Sequence, residues 1–267
     1  MLERASMLSI EHPGVATLIA APLIFGVWLL YVWQMLVTGF EVPGVLLPAP
    51  SVIWSAILAA RETLAADFVQ TFIKAVIPGF FIGCSAGFVT GLLVDRVPFL
   101  QRGLLPLGNL VSALPIVAVA PIMVMWFGFD WQSKAAVVVI MTFFPMLVNT
   151  IAGLDALGRM ERDLMATYAA SYGQTLSMAR IPAALPFVFN ALKINSTLAL
   201  IGAIVAEFFG TPIVGMGFRI STEVGRMNIS MVWAMIAVAA VAGSASYGLI
   251  VLAERRFTFW HASFRKP

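Results

Sequence analysis

Apolar residues run along this chain in blocks, with short polar interruptions between them. Six blocks are long enough to cross a bilayer, at roughly 20 residues per helical span: residues 17–38, 69–94, 104–127, 133–154, 187–210 and 229–252. No period-two alternation supports a barrel. A backbone surrounded by hydrocarbon must bond its own N–H and C=O groups, so the blocks are predicted to be helices. The expected fold is an all-α polytopic membrane protein of about six transmembrane helices. The first block is too long for a signal-peptide core and no small-x-small site closes it, so it reads as a retained span. The expected organisation is a cytoplasmic segment 1–16, a transmembrane domain 17–253 and a basic cytoplasmic tail 254–267.

The longest polar interruption, residues 156–186, lies between the fourth and fifth blocks and carries Arg159, Glu161, Arg162, Asp163 and Arg180. Met160, Leu164, Tyr168 and Tyr172 recur every four residues, which predicts one short helix with a semi-apolar stripe. Asp163 stands near its start, where a carboxylate suits the helix dipole. The prolines of "ARIPAALP" are expected to stop that helix and steer the chain into the fifth span. Small residues Ala166, Ala169, Ala170 and Ser171 would leave a surface that a partner's groove can take. Residues 41–60 predict a Pro-rich loop, then a short interfacial helix capped by Ser51 after Pro50. Gly210, Gly215 and Gly217 predict a tight re-entrant or surface turn after the fifth span.

Within the blocks, Gly79, Gly83, Gly87 and Gly91 fall at four-residue steps on one face of the second helix. Small residues at this spacing let helix backbones approach closely, within the chain or between copies. Pro106, Pro115, Pro121 and Pro145 punctuate the third and fourth helices and predict bends. Polar groups at membrane depth are costly and mark function by default. Here they are Asn149, Lys193, Asn195, Ser196, Thr197 and Glu207. Lys193, Thr197, Leu200, Ile204 and Glu207 follow helical steps and share a face. If that face lines a central path, Asn149, Asn195, Thr197, Ile204 and Glu207 are the candidate lining. Lys193 can equally snorkel to the headgroups, and Asn195 can bond a neighbouring helix. Met125, Trp126, Phe127 and Phe129 read as an aromatic belt.

Composition agrees with this pattern: 61% of residues are hydrophobic and 11% charged, against about 25% charged in soluble domains. The net charge of +3 would suit nucleic acid, but the basic residues lie between spans and not on one face. Arg4, Arg96, Arg102, Arg159, Arg162, Arg180, Arg255, Arg256, Arg265 and Lys266 fall on one side of the expected bundle. Arg61, Lys134, Arg219 and Arg226 fall on the other. Ten against four puts both termini and the 156–186 loop in the cytoplasm. Cys84 is the single cysteine, and His12 and His261 sit near opposite ends, so no metal constellation is expected. No nucleophile–base arrangement sits at membrane depth.

The 156–186 loop resembles the "EAA" loop of permease subunits of bacterial ATP-binding-cassette importers. Aligned on "QT…IPAALP", Asp163 takes the Glu position, Leu164 and Met165 the two Ala, and Ala169 the Gly. An alternative alignment uses Gly173 as the Gly and Thr167 as the Glu. Together with "LLPAPSVIW", "LPIVAVAPIMVMWFGFD", "FFPMLVNTIAGL" and "AEFFGTPIVGMGFRI", the resemblance covers nearly the whole chain. It points to the nitrate/sulfonate/taurine subfamily.

The resemblance implies a non-catalytic subunit in a bacterial inner membrane. Two permease copies, most simply a homodimer, would form the path, with two ATPase subunits beneath and a binding protein delivering solute. The coupling residues would be Asp163, Leu164, Ala166, Thr167, Ala169, Ala170, Ser171, Tyr172 and Gly173. The residues themselves add that none of the four lysines follows a glycine. The chain therefore carries no P-loop, and ATP and Mg would sit on the partner. The expected cargo is a small organic solute, sulfonate-like or heteroaromatic. A stand-alone secondary transporter or channel is the other reading, with Glu207 as thin support for an ion site.

Overall fold

A computed structural model describes residues 15–259 except 98, 101, 105, 107, 109–114 and 211. The described residues form helices and no strand. Helix α1 (Val15–Gly39) is followed by α2 (Pro50–Ala59). Helix α3 (Arg61–Phe68) continues through a π segment (Val69–Val76) into α4 (Ile77–Asp95). Next come α5 (Ile116–Phe127), α6 (Trp131–Asp155) and α7 (Arg159–Thr167). Helix α8 (Tyr172–Thr175) runs through a second π segment (Leu176–Arg180) into α9 (Ile181–Glu207), before α10 (Met216–Gly225) and α11 (Ile229–Phe257).

Among the described residues, five helices are long and apolar enough to span a bilayer. They match five of the six expected blocks. The expected third span, 104–127, falls partly outside the described residues, and α5 is its described end. The second block belongs to a continuous 35-residue helix, Arg61–Asp95. At 1.5 Å per residue it is about 50 Å long, well beyond a hydrocarbon core of about 30 Å.

Three local expectations are corrected. Pro182 and Pro186 do not stop the loop helix. It ends earlier, at Thr167, where Ala169 takes φ 51°. Ser171 then starts a new helix with a capping box: its hydroxyl accepts from Gln174 N–H, and the Gln174 side chain accepts from Ser171 N–H. The expected stripe is therefore split, with Met160 and Leu164 on α7, Tyr168 at its end and Tyr172 on α8. The prolines are absorbed by the long helix. Each π segment ends two residues before a proline, Val76 before Pro78 and Arg180 before Pro182. A proline lacks an N–H and its ring presses on the carbonyl four residues back. The wider π turn gives that ring room and lets the helix continue.

Ser51 is not a cap, because Pro50 occupies the first helical turn after Ala49. The Ser51 N–H instead donates to Gln34 Oε1 (3.1 Å), clipping α2 to α1. The segment after α9 is more than a turn: Gly210 and Gly215, at φ 146° and 144°, bracket a loop that opens into α10. Both need the glycine freedom to hold positive φ.

The bundle centres on α4, α6 and α9, whose pairings with α6 are the most extensive in the chain. Gly79, Gly83, Gly87 and Gly91 are buried against α6. A Cβ on Gly79 would stand 2.7 Å from Val138 Cβ and 2.8 Å from the Ala135 carbonyl. On Gly83 it would run into Thr142 and the Val139 backbone, on Gly87 into the Phe143 carbonyl, and on Gly91 into Thr150. Helix α9 joins through Asn195, whose amide donates to the Thr142 carbonyl (2.8 Å) and to Cys84 Sγ (3.3 Å). A second core layer unites Ile53, Leu64, Met216, Met231, Ala234 and Met235 from α2, α3, α10 and α11. Replacing Gly83 by Leu forces α4 off α6, and overpacking of this kind costs about 1–3 kcal/mol or more. Thermal unfolding of the detergent-solubilised chain should show a clear drop for Gly83→Leu. Gly26→Ala, where a Cβ meets nothing within 4 Å, should leave the melting temperature unchanged.

Candidate functional site

The charged and polar side chains gather at the two ends of the bundle. At the end carrying α7, the loop is anchored at its base and open elsewhere. No residue of α7 is buried. Its foot is tied by Arg162, which donates to the Asp155 carbonyl (2.8 Å) and the Leu157 carbonyl (3.0 Å). Beyond the turn, Arg180 makes two 2.7 Å bonds to the Asp95 carboxylate at the end of α4, and its Nε donates to the Leu154 carbonyl of α6 (3.1 Å). Tyr172 adds its hydroxyl to Asp95 (2.9 Å), and Arg96 lies 5.3 Å over the Tyr172 ring.

Along that loop Asp163, Leu164, Ala166, Thr167, Ala169, Ser171, Tyr172 and Gly173 are exposed, and Ala170 is half-buried. Glu161, and not Asp163, occupies the first turn of α7. The expected docking residues are thus accessible, Ala170 in part. Asp95, which holds its base, escaped sequence reasoning. The available signal was an acid in the last turn of a helix, where the dipole disfavours it.

At the opposite end, three side chains meet the start of α10. Asp67 Oδ1 accepts from Gly215 N–H (2.8 Å), Thr71 Oγ1 from Met216 N–H (2.7 Å) and Glu207 Oε2 from Gly217 N–H (2.6 Å). Thr71 in turn donates to Glu207 Oε1 (2.7 Å), and Arg219 Nε pairs with Asp67 Oδ2 (2.7 Å). The free N–H groups of a helix start, and the positive end of its dipole, favour acceptors and anions there. Lys134 is 1% exposed. It donates to the Phe129 carbonyl (2.6 Å), to Ser133 Oγ and to the Gly210 carbonyl, stapling the turn before α6 to the turn after α9. Beside it Asp130 accepts from Gln70 (2.7 Å) and from Trp131 N–H (2.8 Å). These bonds, Gln70 first, hold its carboxyl below the usual carboxylate range.

Between the ends, Lys193 on α9 pairs with Glu254 on α11, at 2.9 and 3.0 Å to its two oxygens. Lys193 is therefore ion-paired inside the bundle. Glu254 was missed because it reads as part of the basic tail.

The expected path residues do not share one open surface. Asn195 and Glu207 are buried and bonded within the chain, and Ile204 is half-buried against the second core layer. Asn149 is half-buried and donates to its own helix at Pro145 (2.8 Å). Thr197 is exposed. The face Lys193–Glu207 is helical in register, but α11 covers one end and α10 the other. A charge in hydrocarbon needs a partner, and both charges on this face find one inside the chain. The open face of α9 is instead Phe187, Asn190, Ile194, Thr197 and Ile201. Asn190 was not singled out from the sequence.

A bundle of membrane-length helices with an exposed, anchored loop defines a polytopic membrane domain. The family described as "Binding-protein-dependent transport system inner membrane component" matches residues 79–259. The riboflavin transport system permease protein RibX of Chloroflexus aurantiacus is 30% identical over 242 residues, 88% of each chain. The formylaminopyrimidine transport permease protein ThiX of Halalkalibacterium halodurans is 30% identical over 243 residues, 90% of this chain and 95% of that one. A crystal structure of an amino acid ABC transporter with histidines has the same fold. Its TM-score is 0.58 at 13% identity, covering 75% of this chain and 98% of that one. The chain belongs to the binding-protein-dependent transport system inner membrane components, and it is a permease subunit of an ABC importer in the inner membrane.

The Lys193–Glu254 pair supplies a stability test. Removing one partner leaves a nearly buried charge unpaired, which costs up to about 3 kcal/mol, whereas replacing both by apolar residues is close to neutral. Melting in detergent should fall for Lys193→Met and for Glu254→Met, and recover in the double variant.

Proposed function

We propose that this chain is the path-forming, non-catalytic half of an importer, working as a homodimer above two separate ATPase subunits. Helix α7 and the following turn, from Asp163 to Gly173, dock in a groove of the ATPase. Both termini and α7 face the cytoplasm, in line with the ten-to-four distribution of basic residues. The binding protein then delivers solute at the α10 end. The observation that carries the reading is the loop: α7 is open to a partner along its length, yet Arg162 and Arg180 tie both of its flanks to the bundle.

Thr197 and Asn149 face the path in this reading, while Asn195, Ile204 and Glu207 brace its wall from behind. The glycine stripe serves packing within the chain. Among the described residues proposed for this wall only Lys193 is a cation, and it is paired with Glu254, which argues against a tight anion site and leaves selection to the binding protein. RibX and ThiX are named for riboflavin and formylaminopyrimidine. Both are nitrogen heteroaromatics, so the cargo proposed here is a small heteroaromatic solute.

The test is affinity purification of the tagged chain in detergent, with any ATPase identified and its hydrolysis assayed. The wild-type chain should retain an ATPase. Deletion of 163–173, or the milder Ala166→Arg on the exposed face of α7, should reduce retention at least tenfold. A wild-type chain that retains no ATPase and alone moves solute along an ion gradient would establish the secondary-transporter reading instead.

A further inference from the structure

The Asp95–Arg180 contact has features that a simple loop tether does not require. Asp95 is the last residue of α4, and its side chain is 3% exposed. A carboxylate at a helix C-terminus is repelled by the dipole of its own helix, so it contributes nothing to α4 by itself. Burying it is tolerable only with a full set of partners, and it has them: two bonds from Arg180 and one from Tyr172. Paired bonds of this geometry fix direction as well as distance.

Arg180 reaches two helices at once. Its Nε donates to the Leu154 carbonyl, among the last four carbonyls of α6, which lack a helical partner. Its Nη2 lies 3.5 Å from Asp155, the last residue of α6. One guanidinium therefore fastens the ends of α4 and α6, the two helices already locked by the glycine stripe. Arg180 is also the final residue of the π segment that joins the loop to α9. π turns inside α-helices occur frequently at functional sites.

We propose that Asp95 and Arg180 form a latch that carries movement of the docked loop into the α4–α6 pair, with Tyr172 as its second contact. They are positioning residues: they touch neither solute nor nucleotide, and act by making loop and helix pair move as one body. This rests on the docking role of α7 proposed above. Breaking the latch leaves the docking surface of α7 intact, so the ATPase still binds, but its closure no longer reaches the membrane helices.

The experiment uses the complex that co-purifies with the tagged chain, reconstituted in nanodiscs, with Thr197→Cys as reporter on the exposed face of α9. A membrane-impermeant maleimide reads its accessibility with and without ATP and vanadate; a chain lacking the reporter controls for the buried Cys84. In the otherwise wild-type chain, nucleotide trapping should change the labelling rate at least threefold. Asp95→Asn should retain ATPase within twofold of wild type and lose that change, and Arg180→Lys should lose most of it. The exchange Asp95→Arg with Arg180→Asp should restore it in part, which loss of a merely structural contact would not predict.

An undiminished response in Asp95→Asn overturns the latch and leaves the docking reading standing. Absence of both ATPase and response in the wild type overturns the docking reading and the latch with it. Should Asp95→Asn fail to assemble, the exchange variant decides. Restored assembly with a restored response supports the latch, and restored assembly without a response overturns it.

Discussion

The structure depends on the close approach of α4 to α6 along a stripe where α4 presents only glycine. In hydrocarbon there is little hydrophobic gain from joining two helices, so association relies on close packing. Four glycines provide it: at Gly79, Gly83 and Gly87 the atoms a Cβ would meet include backbone carbonyls of α6. Backbone cannot rotate aside as a flexible side chain can. The pair therefore behaves as a stiff rib, and α9 is added to it through Asn195, Cys84 and the Thr142 carbonyl.

Around this rib the polar groups divide by place. Acceptors from Asp67, Thr71 and Glu207 close the start of α10 at one end, and Lys134 staples the adjoining turns. At the other end Arg180 and Arg162 hold the flanks of an otherwise open loop. Lys193 and Glu254 join α9 to α11 between them. Each end is firm where it meets the rib. Helix α7 has no buried residue, and this makes it a surface for a partner and not a packing element.

Much of this was legible in the sequence, for physical reasons. Membrane spans announce themselves because hydrocarbon demands long uncharged blocks, and the glycine stripe is visible because helical spacing is regular. The loop was visible because polar residues stand out in an apolar chain. What the sequence does not show is how the prolines are accommodated and which distant residues partner the charges. Pro182 and Pro186 read as helix breakers, yet a π turn accommodates the break that Pro182 would make, and no local rule signals that turn. Lys193 reads as a snorkelling cation or part of a path face, and Glu207 as a path group, because a lone charge at membrane depth suggests function. Their partners, Glu254 and Thr71, lie 61 and 136 residues away in the chain. Asp95 was overlooked for the same reason, since Arg180 is 85 residues distant.

The central claim is that α7 is the contact through which a separate ATPase drives this permease. The most direct measurement is site-specific photo-crosslinking in native membranes, with a benzophenone side chain at Ala166 on α7 and, as control, at Ile213, which is exposed at the opposite end. The account predicts an adduct with an ATP-binding subunit from Ala166 and none from Ile213. An Ala166 probe that captures only lipid or another copy of this chain, in membranes where the transporter is active, would contradict it.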